Sequence, residues 1–353
     1  MHIPEGWLTL VQKEIKPWRF DVGRNESMKI IDQEHTDVLY CIDLDEKVIP
    51  DFWDDLRQEV AEHPNFERIY YQYAWSHHSD GSPDWTYWYD KITKPYWTWK
   101  FPVHEALYMS PEDKKKYGYE GCYFMHPDKI YLHHYPDPEK SRGNYLGLLQ
   151  LRADENPQDL YGLFYLAREY AFYNKIEKAI EVETQLYIRL QWKEPESDIY
   201  AVKDDMLMLP CVYCNLGNWY QNLRLFETAE FYYKKGIEKY PNFRETYLRY
   251  AQMIGYQGRS SEAIQLVQDA LKKTVRMTDW RIQQWTYSTW WPKHILGIAF
   301  SWLGDYAHAN SLFVEAAEDI KTDDERRVAT AIGFYNDWAF MQNKIAEMKK
   351  SSE

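Results

Sequence analysis

Four alanines in a shared local setting constrain the fold of this chain more than any other feature of its sequence. They are Ala179, Ala229, Ala263 and Ala309. Twelve positions before each alanine lies another small residue, and these residues are Ala167, Gly217, Ala251 and Gly297. Small residues at a fixed spacing allow the two helices of a hairpin to approach closely, so the pattern predicts a series of helical hairpins.

Larger residues recur around the same alanines. One position before the small residues lie Leu166, Leu216, Tyr250 and Leu296, and nine positions before the alanines lie Tyr170, Tyr220, Ile254 and Phe300. Three copies continue with a large residue four positions after the alanine and a small one seven positions after it, namely Tyr233 with Gly236, Val267 with Ala270, and Phe313 with Ala316. The second and third copies are 34 residues apart. This spacing is typical of the tetratricopeptide repeat, which the chain resembles over roughly residues 159–322.

The first copy departs from this pattern, because Glu183 stands where the other copies have a large apolar or aromatic residue. Insertions also separate copies one from two and three from four. Pro241 closes the second copy where the pattern expects a helix to stop. The charged segment 323–350 has the composition of a capping helix. We therefore expect an all-α solenoid of tetratricopeptide type over residues 143–353.

The first 140 residues follow a different pattern. Val38–Ile42 is a short apolar run that predicts a buried strand, and it ends in the acidic turn Asp43–Glu46. Pro50 opens an amphipathic helix that runs to about Glu62, and Arg68–Trp75 predicts a second strand. Strand, turn, helix and strand in this order indicate an α/β domain, which we assign to residues 1–142.

Two carboxylates stand at the end of the first predicted strand. Asp43 and Asp45 are two positions apart, so they point the same way in an extended chain. Such a pair suits a hard divalent cation, which takes oxygen ligands and bridges them to phosphate oxygens. An acidic turn that binds no ligand is the common alternative for an isolated pair.

Five elements that include this pair follow one another in a defined order. They are Arg24-Asn25, Asp43-Leu44-Asp45-Glu46, His104-Glu105, His133-His134 and the basic segment Lys140-Ser141-Arg142. In this order, from about Ile15 to Tyr170, the chain resembles bacterial family-2 glycosyltransferases with appended tetratricopeptide repeats. The resemblance implies a GT-A-like, Rossmann-related α/β domain. The domain would be incomplete at its start, since the nucleotide-binding segment of that family has no room before Arg24.

The resemblance also implies an activity and its site. The activity would be metal-dependent, inverting transfer of a hexosyl or related sugar from a nucleotide-sugar donor to a glycan, lipid-linked or protein acceptor. Asp45 would bind Mn²⁺ or Mg²⁺ directly, and Asp43 would lie near the ribose or the water shell of the metal. His134, with His133 as the alternative, would complete the ligands. Glu105 would be the general base, and Arg24 would face the diphosphate of the donor.

Structural alternatives stay open beside these roles. His104 also fits a structural histidine, and Glu105 also fits a solvated charge. Cys211 and Cys214 fall within a predicted helix, which favours buried core cysteines over a zinc or redox pair. The second function class is a non-catalytic tetratricopeptide scaffold with a remnant glycosyltransferase domain. Its repeats would bind a partner protein.

Composition excludes some partners. The formal net charge of −13 argues against binding to the phosphate backbone of a nucleic acid. No run of about 18 or more apolar residues occurs, so no membrane span is predicted. The four cysteines are too few for a disulfide scaffold in 353 residues and favour a reducing compartment. The cytoplasm is therefore the expected location.

Overall fold

The structure, a computed structural model, describes residues 9–78, 80–119, 121–137, 143–192, 205–273, 287–321 and 323–351. The chain forms two compact units. Unit 1 comprises Met1–Ser76 and Thr86–Leu166, and unit 2 comprises His77–Trp85 and Ala167–Glu353. Residues 138–142, which include the basic segment 140–142, lie outside the described ranges. They adjoin the predicted boundary after residue 142. That boundary therefore stays a prediction.

Unit 1 combines short strands and helices. Its helices are α1 (Phe20–Met28), α2 (Phe52–Glu62), α3 (Pro111–Tyr117) and α4 (Tyr145–Glu155), and α5 (Leu160–Phe172) begins in unit 1 and ends in unit 2. Its strands are β1 (Leu39–Tyr40), β2 (Glu46–Val48), β3 (Arg68–Ala74), β4 (Thr86–Thr93), β5 (Thr98–Lys100), β6 (Ala106–Tyr108), β7 (Cys122–Phe124) and β8 (Ile130–His134).

The main sheet of unit 1 is mixed. Its strand order is β1-β4-β3-β8-β2, and β7 also pairs with β3. Strand β3 is antiparallel to β4 but parallel to β7 and β8, while β1 and β2 pair antiparallel with β4 and β8. Strands β5 and β6 form a separate antiparallel pair. This sheet does not show the expected GT-A-like, Rossmann-related domain, since such domains place mostly parallel strands side by side.

Sequence patterns located two elements of this unit closely. Pro50 precedes α2, which ends at Glu62 as expected. Strand β3 covers the predicted Arg68–Trp75 except for its last residue. The predicted strand Val38–Ile42 is shorter, because only β1 pairs with the sheet, at its edge. The aromatic strand β4, which the sequence analysis did not assign, takes the inner position beside β3 instead.

Unit 2 is helical. Its further helices are α6 (Ile176–Trp192), α7 (Asp205–Asn222), α8 (Phe226–Lys239), α9 (Arg244–Tyr256), α10 (Ser260–Leu271), α11 (Trp290–Trp302), α12 (Tyr306–Asp319), α13 (Asp323–Ala331) and α14 (Phe334–Ser351). Helix α7 packs on α6, α8 and α9, and α11 packs on α9, α10 and α12. The four alanines of the repeat pattern are all completely buried. The predicted helical solenoid is confirmed.

The small residues of the pattern are matched to the side chains that face them. At Gly217 on α7, an added Cβ would come within 2.5 Å of the Tyr233 ring on α8. At Gly297 on α11, it would come within 3.0 Å of the Phe313 ring on α12. The third hairpin has alanine in place of this glycine, and there the residue four positions after Ala263 is the smaller Val267. The space left by the small residue thus fits the volume of its neighbour.

The end of the chain covers the last hairpin. The predicted capping segment forms two helices, α13 and α14, which are separated by a turn at Gly333 with φ at 86°. Phe334 at the start of α14 is completely buried against Trp290 and Phe313. Across the described ranges, every helix is too short or too polar to cross a bilayer.

Glu183 is the exception within the repeats, and it is completely buried on α6. Its Oε1 accepts a 2.8 Å hydrogen bond from Nδ2 of Asn215, while Oε2 has no hydrogen-bond partner in the described part of the chain. Burial raises the pKa of Glu183 from its ordinary 4.5 to about 8, and the bond from Asn215 offsets this only in part. The first repeat therefore buries a carboxyl group that is protonated near neutral pH.

We expect Gly217→Ala to destabilise the chain by about 1–3 kcal/mol, because the new methyl group overlaps the Tyr233 ring. Urea denaturation followed by circular dichroism measures the change. Gly255→Ala on α9 is the matched control, since the nearest atom to its Cβ would be 3.8 Å away. The control should be neutral or gain up to about 1 kcal/mol of helix propensity. Equal stability of the two variants would contradict close packing at Gly217.

We expect Glu183→Gln to raise the free energy of unfolding at pH 9 by about 2–4 kcal/mol and to have little effect at pH 4. Below pH 4.5 the carboxyl group is protonated in both states. As the pH rises toward 8 the unfolded chain ionises first, so stability falls, and the full cost is present above pH 8. Thermal melts over this range measure the effect. Glu181→Gln, at an exposed position of the same helix, should leave the pH profile unchanged.

Candidate functional site

Three of the predicted site residues meet in unit 1. Arg24 on α1 forms an ion pair with Asp43, with Nη1 and Oδ1 2.9 Å apart. Its Nε donates to Oε1 of Glu105 at 2.5 Å, and its guanidinium lies 4.8 Å from the centroid of the Trp99 ring. A single arginine therefore joins α1 to the acidic turn after β1 and to the loop before β6. We use the name charge cluster for Arg24, Asp43, Glu105, Lys91 and Glu46.

Lys91 and Glu46 are the members that sequence reasoning missed. Lys91 lies on β4, and its Nζ is 2.8 Å from Oδ2 of Asp43 and 3.2 Å from Oε1 of Glu46. Oε2 of Glu46 accepts a 2.8 Å bond from the backbone N–H of Asp43. Both side chains are buried. A lysine in the middle of an aromatic strand was the available signal, because a buried lysine requires a charged partner.

The cluster changes the acidity of its members. Burial alone would raise the pKa of Asp43, but hydrogen bonds and charges from Arg24 and Lys91 outweigh it and hold that pKa well below the usual range. Burial would likewise lower the pKa of Lys91, but Glu46 and Asp43 raise it above its usual value. Asp43 and Lys91 are therefore both charged at neutral pH, and the cluster is an ion-pair network.

The loop that carries Glu105 is strained and anchored. Phe101 and His104 have positive backbone φ values of 81° and 48°, which residues other than glycine rarely adopt. Arg152 on α4 holds this loop, since its Nη1 donates to the carbonyl oxygens of Val103 at 3.1 Å and His104 at 2.7 Å. The His104 ring also stacks on a tyrosine ring of α5 with the centroids 3.8 Å apart. His104 is thus a structural histidine, one of the alternatives that its sequence left open.

The remaining predicted ligands lie at the other end of the acidic turn. Oδ2 of Asp45 is 3.6 Å from Nε2 of His134 at the end of β8. The His134 ring stacks on Trp75 at 4.4 Å. His133 precedes His134 on the same strand, so its side chain points to the opposite face of the sheet. Of the predicted ligand set, Asp45 and His134 are thus brought close to each other.

These residues do not fit a multidentate metal site as they stand. Both oxygens of Asp43 already face Arg24 or Lys91, so a divalent cation would have to displace them. No group of three or more His, Cys, Asp or Glu side chains in the described ranges is arranged to hold an ion. The binding of Mn²⁺ or Mg²⁺ by Asp43, Asp45, His134 or His133 therefore stays a prediction.

A second set of candidate residues lies in unit 2. The first helix of each hairpin ends seven positions before the buried alanine, and in three hairpins its last residue is aromatic. These residues are Phe172, Tyr256 and Trp302, which are 68%, 41% and 60% exposed. The second hairpin has Asn222 at this position. Equivalent positions of stacked repeats recur along one edge, so we call these three rings the aromatic edge.

Two rings of the aromatic edge border a cleft of about 310 Å³ between α9, α11, α12 and α14. Tyr256, Trp302 and Phe340 form its exposed rim, while Ile298 and Met341 are buried at its base. Asp337 on α14 is the carboxylate that lines it. Sequence analysis missed this cleft, although the aromatic residue seven positions before three of the four repeat alanines is visible in the sequence.

Comparison with known proteins gives tetratricopeptide structures. No family model matches the chain, and no curated protein matches it. Matching solved structures include a MamA protein (14% identity, TM-score 0.35, covering 49% of this chain and 80% of that one). They also include YrrB, described as a TPR protein with an unusual peptide-binding site (10% identity, TM-score 0.35, covering 54% of this chain and 83% of that one). A third is TTC0263, a thermophilic TPR protein of Thermus thermophilus (20% identity, TM-score 0.35, covering 53% of this chain and 88% of that one). Similarity at this level transfers no function.

The expected membership of the family-2 glycosyltransferases is wrong, and so is the expected hexosyltransferase activity. The solved structures named above are all tetratricopeptide proteins, and no glycosyltransferase is among them. The resemblance rested on short polar motifs, which carry a high risk of false matches. In the structure two of those motifs supply Asp43 and Glu105 to the same arginine. An ion-pair network accounts for their presence in one site.

We expect Lys91→Met to reduce the free energy of unfolding by about 3–5 kcal/mol, because it leaves Glu46 and Asp43 without their buried partner. Urea denaturation followed by circular dichroism measures this. Lys47→Met is the matched control, since Lys47 is exposed on β2 of the same sheet, directly after Glu46 in the chain. The control should change stability by less than about 0.5 kcal/mol. Similar losses in both variants would show that the charge cluster does not depend on Lys91.

Proposed function

We propose that the repeat region is a non-catalytic scaffold that binds an exposed segment of a partner protein along the aromatic edge. The observation that carries this proposal is the recurrence of an exposed ring at the end of three of the four first helices. Each of these rings leaves part of its apolar surface open to solvent, where a ligand can cover it. Rows of large exposed apolar side chains mark interaction sites, and aromatic residues dominate the binding energy of such sites.

The rigidity of the repeats supports this proposal. The three rings stand on helices whose register is fixed by buried small residues, so a partner meets a preformed surface. Preformed surfaces lose little conformational entropy on binding. The charge cluster of unit 1 is not part of the proposed binding surface. Its groups pair with each other and stabilise the unit.

We expect peptides selected from a displayed random library on the full chain to depend on the aromatic edge. For a selected peptide long enough to reach from Trp302 to Phe172, Trp302→Ser and Phe172→Ser should each weaken binding at least tenfold, which corresponds to about 1.4 kcal/mol. Isothermal titration calorimetry measures the affinity, and circular dichroism confirms that each variant is folded.

Phe231→Ser is the matched control for these two variants. Phe231 is an aromatic residue with 53% exposure in the middle of α8, away from the ends of the first helices. This variant should bind the peptide within about twofold of the wild-type chain. Failure to select any binding peptide, or equal losses in all three variants, would contradict the proposal.

A further inference from the structure

We infer that the cleft beside Trp302 is a pocket for an arginine side chain of the partner segment. This inference rests on the proposed function and adds the chemistry that one position of the partner must have. Four features carry it: the shape of the cleft, its rings, its carboxylate, and the way in which the same chain binds its own arginines.

The cleft combines an apolar base with an aromatic rim. Its volume of about 310 Å³ is large enough for a long side chain but too small for a folded element. Trp302, Phe340 and Tyr256 present exposed rings at the opening. Ring faces attract cations, and a guanidinium stacks on them more readily than an ammonium does.

Asp337 supplies a negative charge inside this aromatic rim. Its Oδ2 accepts a 2.6 Å hydrogen bond from the Tyr256 hydroxyl and lies 2.9 Å from Nε2 of His294. These contacts fix the carboxylate, while Oδ1 has no partner in the described part of the chain. The Asp337 side chain is partly exposed, so a ligand in the cleft can reach it.

The histidine behind Asp337 lies on the side away from solvent. His294 is completely buried, and its Nδ1 has no hydrogen-bond partner among the described residues. The ring meets Asp337 through Nε2, at Oδ2, so this contact leaves Oδ1 of the carboxylate available to a ligand in the cleft.

Three arginines of unit 1 show how this chain binds a guanidinium. Arg24 lies over Trp99 and pairs with Asp43. Arg68 lies over Trp97, 4.4 Å from the ring centroid, and pairs with Asp90. Arg152 lies over Phe101 at 3.8 Å and pairs with Asp159 at 2.6 Å. Each arginine thus contacts at least one aromatic face and at least one carboxylate.

The cleft offers the same two groups, with Trp302 as the ring and Asp337 as the carboxylate. No lysine or arginine in the described ranges forms an ion pair with Asp337. Lys344 lies beside the rim, with its Nζ 5.7 Å from the centroid of the Phe340 ring, and this lysine pairs with Glu347. The net charge of −13 further favours a basic partner.

The test compares two small ligands that differ in charge but not in shape. They are N-acetyl-arginine methylamide and N-acetyl-citrulline methylamide, which is neutral. The full chain is labelled with ¹³C at the methionine methyl groups, and Met341→Leu identifies the signal of Met341 at the base of the cleft. Titration with the arginine ligand should shift this signal to saturation and leave the signal of Met28, in unit 1, in place.

The expected result is at least fivefold weaker binding of the citrulline ligand. Asp337→Asn should lower the affinity for the arginine ligand to that for the citrulline ligand, because it removes the charge. The amide oxygen can still accept the bonds from Tyr256 and His294, so the cleft should keep its shape. Trp302→Leu should weaken both ligands. Equal binding of the two ligands to the wild-type chain, or the absence of any Met341 shift with either, would overturn the inference.

A third measurement separates this inference from the proposed function. A peptide that binds the aromatic edge is prepared with each arginine in turn replaced by citrulline. If Trp302→Ser weakens the peptide but no citrulline substitution does, the scaffold function stands and the arginine pocket is wrong. If the arginine ligand binds but no peptide depends on the aromatic edge, the pocket stands and the scaffold function is wrong.

Discussion

The repeat region depends on one contact, between a small residue of the first helix and the side chain that faces it from the second. Tyr233 fills the space above Gly217, and Phe313 fills the space above Gly297. Since each ring occupies the place of the missing Cβ, the two helices of a hairpin can pack in only one register. Helices α9 and α11 both have 13 residues, and each brings its last residue, an aromatic, to an equivalent point of the stack.

Unit 1 is organised by charge rather than by repetition. Its ion pairs join residues that are far apart in the chain, such as Arg24 and Glu105, which are 81 positions apart. Removing a buried ionic partner costs more than the pair contributes, because the other charge is left unsolvated. A network of this kind therefore makes the positions of α1, β4 and the Glu105 loop mutually dependent. Arg152 extends that dependence to α4 through the carbonyl groups of the strained loop.

These two kinds of organisation explain what could be predicted from the sequence. The helical repeats were predictable because their packing residues recur at fixed local spacing, and the amphipathic α2 was predictable for the same reason. The partners of Asp43 were not predictable, since nothing near it in the chain points to Lys91 on a strand 48 positions away. The polar motifs gave the wrong family because aspartate and glutamate residues serve ion pairing as readily as catalysis. The sequence analysis gave Arg24, Asp43 and Glu105 separate roles in a donor and catalytic site, and it did not predict their ion pairs with one another.

The aromatic edge is interrupted at the second hairpin, where Asn222 replaces the ring. The edge is thereby divided into one isolated ring, Phe172, and an adjacent pair, Tyr256 and Trp302. A ligand that reaches only the pair gains nothing from the first hairpin. A ligand long enough to pass the gap meets Phe172 at a high effective concentration, because its other end is already held. The interruption therefore makes the length of the bound segment, as well as its composition, a determinant of affinity.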